Sequence, residues 1–166
     1  MDVAATLTTF AELAVGLAGF AGIVAALQGN LRDWSPADRN RFWSILIFAM
    51  ATLAFAVLPL AWLSSGRSPW LPCSSLLALF LISQGGYSAS LCIGHPRGFN
   101  RIVAAFMATG GVLAGAVQLR NVLALGSSAE FTPYLIGLLW LVTGSVFSFI
   151  RLLQLVLRSN DENTPT

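Results

Sequence analysis

The stretch that decides the fold is Val3–Leu27, VAATLTTFAELAVGLAGFAGIVAAL, an apolar run whose one ionisable side chain is Glu12. Crossing the hydrocarbon core takes about 20 predominantly apolar residues in a helix, so this run is long enough to span a bilayer. At about 1.5 Å per residue, Glu12 falls roughly 13 Å deep. A charge at such depth costs about 2.5 to 3.5 kcal/mol on insertion scales, so it calls for a partner, a polar cavity, a bound cation or a proton. Asp2 gives the chain an acidic start with no basic n-region, and Glu12 interrupts what would be a signal-peptide core. The run therefore reads as a retained span.

Four further stretches resemble it in length and apolarity, at 42–63, 70–93, 102–125 and 134–157. The connectors between them are short and rich in breakers and charge. Ser35 followed by Pro36 predicts the start of the second helix, with serine capping an orphan amide and proline fitting the first turn. Composition agrees: 56% of the residues are hydrophobic and 10% are charged, a balance that a water-soluble domain of this length does not cover with polar surface. The expected fold is all-α, a single integral membrane bundle of five transmembrane helices over residues 1–158, followed by a disordered polar tail at 159–166. No room is left for a soluble catalytic or nucleic-acid-binding domain.

All nine basic residues are arginine. With five spans and the N-terminus outside, the inner side receives Arg32, Arg39, Arg41, Arg97, Arg101 and Arg158, and the outer loops receive Arg67, so positive-inside bias predicts N-out and C-in. Arg151 and Arg158 at the inner end of the fifth span are expected at anionic lipid headgroups, and the inner arginines together form the surface on which a cytosolic protein would dock. Trp43 is expected at the inner interface, with Trp62 and Trp70 at the outer one.

Three features inside the spans are candidates for function. In the first span, Glu12, Gly16, Gly19 and Ile23 share a face, and Gly22 adds a further notch. Either this thin face holds another helix or another copy of the chain while Glu12 reaches a polar pathway, or the glycines pack inside the bundle and one buried partner neutralises Glu12. Arg120 is the expected partner, with Gln118 and Asn121 completing a hydrogen-bonded cluster; the alternative is that Arg120 snorkels to the headgroups. A second small-residue stripe, Ala104, Ala108, Gly111 and Gly115, would let the fourth helix pack against the first. In the third span, Gln84-Gly85-Gly86-Tyr87 lies near the midplane, where paired glycines either break the helix around a cavity or admit a neighbour to an unbroken one. Gln84 and Tyr87 are thus further candidates for lining a pathway.

Metal, cofactor and catalytic signatures are not expected to contribute. Cys73 and Cys92 lie at opposite ends of one span, roughly 28 Å apart if helical, which no disulfide bridges. His95 is the only histidine, and no HExxH, GxSxG or phosphate loop occurs. Gly16-Leu17-Ala18-Gly19-Phe20-Ala21-Gly22-Ile23-Val24, together with Trp34-Ser35-Pro36-Ala37-Asp38-Arg39 and Arg41-Phe42, resembles the N-terminal signature of a group of uncharacterised small bacterial multi-pass membrane proteins with a glycine-rich first helix. The resemblance implies a bacterial inner membrane and no particular activity. The expected function is a homo-oligomeric pore or channel for ions or small solutes. The alternatives are a non-catalytic subunit docking a cytosolic protein, or a small transporter.

Overall fold

A computed structural model describes residues 2–27, 34–63, 66, 68–94, 100–123 and 130–162. They form five helices: α1 (Val3–Leu27), α2 (Pro36–Leu63), α3 (Trp70–Gly94), α4 (Arg101–Leu123) and α5 (Phe131–Glu162). Each is long and apolar enough to cross a membrane. The chain is thus an all-α, multi-pass membrane protein. α5 continues to Glu162, so residues 159–162, expected in the disordered tail, extend the helix instead.

Local chemistry sets the helix starts. Asp2 caps α1, its Oδ1 accepting from the amides of Ala4 (3.0 Å) and Ala5 (3.2 Å); Asn100 caps α4, its Oδ1 accepting from the Ile102 amide at 2.9 Å. Both satisfy donors that a first turn otherwise leaves unpaired. α2 begins at Pro36, as the Ser35-Pro36 pair predicts, and the Arg39 amide donates to the Ser35 carbonyl at 3.0 Å.

α1 lies against α2 and α5, α2 against α5, and α4 chiefly against α3 and then α5. The expected packing of α1 on α4 is therefore corrected. The small-residue stripe of α4 is used within the bundle, on α3: the Cα of Gly85 lies 3.3 Å from where a β-carbon on Gly111 would stand, and Leu81 and Ile82 sit over Gly111 and Gly115. α3 runs unbroken through Gly85 and Gly86, so the glycine pair admits a neighbour and does not interrupt the helix. Gly85 makes the close approach, while Gly86 faces open space.

The core falls into two layers. The larger joins Leu7 and Phe10 of α1, Phe48 and Ala56 of α2, Leu77 and Leu81 of α3, and Tyr134, Leu138 and Leu141 of α5. The smaller, at the end of the bundle bearing Arg41 and Arg151, joins Ala21, Phe42, Ile45 and Leu152. Trp43 and Trp62 project outward from the two ends of α2. Both cysteines are free.

Pro59 lies inside α2. Without an N–H it cannot serve the Phe55 carbonyl four residues back. The hydroxyl of Tyr134, a fully buried side chain on α5, donates to that carbonyl at 2.5 Å. A neighbouring helix thus supplies the donor that proline removes, one of the ways membrane helices tolerate an interior proline.

Candidate functional site

The polar residues singled out from the sequence do not form one pathway. They separate into three places, and Arg120 belongs to none of them.

The first place is the outward face of α1. Leu7, Phe10, Ala14 and Ala21 turn into the core, which leaves Glu12, Gly16, Gly19, Gly22 and Ile23 exposed on other faces of the helix. Among the described residues, nothing lies within 4 Å of a β-carbon placed on Gly16, Gly19 or Gly22. Glu12 lines a shallow groove on this face with Thr9, Leu13, Gly16, Leu17 and Phe20. It has no hydrogen-bond or ion-pair partner among the described residues. The expected Glu12–Arg120 pair does not form, because α1 and α4 are not packed together. Arg120 is exposed on α4.

The second place is the junction of α3, α4 and α5. Gln118 and Asn121 are three residues apart and turn inward together, while Arg120, about 200° around the helix from Gln118, turns away. Asn121 donates to Ser74 Oγ at 3.0 Å and to the Glu130 carbonyl at 3.1 Å, and accepts from the Glu130 amide at 3.0 Å. Gln118 donates to the Pro133 carbonyl, and its Oε1 is buried without a partner among the described residues. One amide thus holds the entry of α5 to α3 and α4. This is a structural joint, and the expected triad of Gln118, Arg120 and Asn121 is corrected to a pair.

The third place is a partly open cavity of ~90 Å³ at the opposite end of the bundle, lined by residues of α2, α3, α4 and α5. Gln84 and Tyr87 reach it from α3, Asn40, Arg41 and Ser44 from α2, Asn100 from the start of α4, and Ser148 and Arg151 from α5. The Tyr87 hydroxyl donates to Asn40 Oδ1 at 2.9 Å, and the Arg151 guanidinium stands 6.0 Å from the centroid of the Phe147 ring. Phe48 and Met107 line the cavity on its apolar side. Further along the bundle, Leu81, Leu141, Leu138 and Leu77 are fully buried.

No family model, curated protein or solved structure matches the chain.

Sequence reasoning located Gln84, Tyr87, Arg41 and Arg151 but assigned the first two to a pathway and the last two to the surface. Their convergence with Asn40, Asn100 and Ser148 was missed. The only signal was that all of them lie towards the same end of their spans. Arg39 and Arg101 are exposed there. Arg32, Arg97 and His95 lie outside the described residues, as does the side chain of Arg158.

Proposed function

We propose that the chain is a homo-oligomeric pore of the inner membrane, in which copies meet through the outward face of α1 and Glu12 lines a path for small cations or polar solutes. The observation that carries this reading is the placement of Glu12, without a partner among the described residues, beside three exposed glycines on a span-forming helix. A carboxylate held against lipid is unfavourable, and a second copy seated on the thin glycine face covers it and shares a polar environment with it. Beyond the cavity at one end, the interior of a single bundle is packed mainly with leucine, phenylalanine and alanine, which favours a path between copies. Closed rotational symmetry would place the same carboxylate around a common axis, as the charged rings of cation-selective pores do.

The test is solute flux through purified protein in liposomes, with assembly measured first by cross-linking. Wild type is expected to assemble and conduct; Glu12→Ala to assemble and fall to the level of empty liposomes; Glu12→Gln to retain flux if the role is a polar lining. Gly19→Leu adds bulk where no atom of the described residues is met, so it is expected to leave the fold intact and disrupt assembly. Assembled wild type that conducts nothing refutes the pore.

A further inference from the structure

We infer that the cavity bounded by Arg41 and Arg151 is a binding site for a phosphate group, carried either by a soluble phosphate or by a phospholipid headgroup. Among the described residues its lining includes two guanidinium groups, Arg151 and an Arg41 that has an interaction of its own, and no carboxylate. The remaining polar groups are chiefly donors or can become so: the side-chain amides of Gln84 and Asn40 and the hydroxyls of Ser88 and Ser148. Ser88 and Ser148 are buried, at 7% and 9% exposure, and have no hydrogen-bond partner among the described residues. The carbonyl oxygen of the Asn40 side chain is already occupied by Tyr87, which turns its amide nitrogen to other partners.

The geometry selects among anions. A planar carboxylate offers two oxygens and is saturated by one guanidinium fork. Here donors approach from three helices on different sides, an arrangement that matches the three or four oxygens of a tetrahedral phosphate. The cavity also lies where phosphates are found. Asn40 and Arg151 stand within one turn of the ends of their spans, and Gln84 is about 15 Å along α3 from Gly94 at 1.5 Å per residue. The site therefore starts at headgroup depth and reaches into the bundle. Its volume of ~90 Å³ is that of a compact polar group, several waters in size. Arg151 is held over Phe147, so its guanidinium is already oriented. This site is separate from the α1 face, and neither reading depends on the other.

The test follows thermal unfolding of the full chain in dodecyl maltoside micelles in a phosphate-free buffer. One arm titrates inorganic phosphate against chloride at matched ionic strength; the other adds phosphatidic acid to the micelles. A raised midpoint with phosphate identifies a free oxyanion as ligand, and one raised by phosphatidic acid alone identifies a lipid headgroup. In either arm Arg151→Gln is expected to weaken half-saturation by about tenfold or more, the loss of one charge-assisted hydrogen bond. Gln84→Leu and Ser148→Ala, which leave the charge in place, are expected to weaken it less, and they decide the matter if Arg151→Gln does not fold. Arg120→Gln, on the far end of α4, is expected to respond as wild type. The inference is overturned if neither arm raises the midpoint above chloride, or if all three cavity variants respond as wild type does.

Discussion

Removing the hydroxyl of Tyr134 tests whether the proline-containing last turns of α2 are held by α5. Tyr134→Phe leaves the ring in its fully buried position, packed on Trp70 with centroids 5.7 Å apart, and deletes only the donor to the Phe55 carbonyl. Because Pro59 supplies no helix hydrogen bond, that carbonyl is left with no partner. An unsatisfied buried acceptor costs about 1 to 3 kcal/mol, so a loss of about 2 kcal/mol is expected. Pro59→Ala supplies the missing N–H at the helical position. In that background the Phe55 carbonyl keeps a partner when Tyr134 becomes Phe, and the cost should fall to roughly 0.5 kcal/mol. The double-mutant cycle then gives an interaction energy of about 1 to 2 kcal/mol between residues 59 and 134. Unfolding by SDS in mild detergent, followed by tryptophan fluorescence, measures all four variants. Additivity within about 0.5 kcal/mol would refute the proposed replacement of one donor by the other.

Two further substitutions test how the helices are joined. At the α3–α4 contact, a β-carbon on Gly85 would stand 3.2 Å from the Ala108 carbonyl oxygen and the Val112 amide nitrogen, backbone atoms that move only with the helix, whereas one on Gly86 would meet nothing. Gly85→Ala is therefore expected to destabilise by about 1 to 3 kcal/mol and Gly86→Ala to be neutral or slightly stabilising, with the same unfolding assay separating them; equal effects would refute the contact. Asn121→Ala removes three hydrogen bonds at the entry of α5 and is expected to cost about 2 kcal/mol, read as a lowered unfolding midpoint.

The helices were legible in the sequence and their neighbours were not. Length and apolarity mark the five spans, and Ser35-Pro36 marks the start of α2, because these are properties of one segment against lipid. Which face of each span turns inward is a different question. α1 to α4 show almost no hydrophobic asymmetry around their axes, since a helix in lipid has no polar side to present. The glycine stripes were equally silent about their partners: Gly111 and Gly115 pack on α3, while Gly16 and Gly19 meet nothing among the described residues. Adjacent Gly85 and Gly86 look alike in sequence and differ only because successive residues point 100° apart. The cavity was illegible for a related reason. Tyr87 and Asn40 are 47 residues apart, and only the antiparallel order of α2 and α3 brings them together.

The two small-residue stripes thus stand in opposite conditions, and the difference bears on assembly. The stripe on α4 is consumed by α3 at backbone distance, which fixes the tightest helix pair in the fold and leaves no room there for another chain. The stripe on α1 is not consumed. α1 is also the least covered helix, with 22% of its most apolar stretch buried against 39% in α2 and α5. In lipid no hydrophobic force drives helices together, and close packing through small residues is one of the terms that does. A helix that combines the thinnest unfilled face with the least burial and a mid-depth carboxylate has more to gain from a second copy than any other surface of the bundle. If Gly19→Leu abolished assembly while Gly86→Leu, equally open on α3, did not, the outward face of α1 would be the surface that copies share; equal losses would place the contact elsewhere.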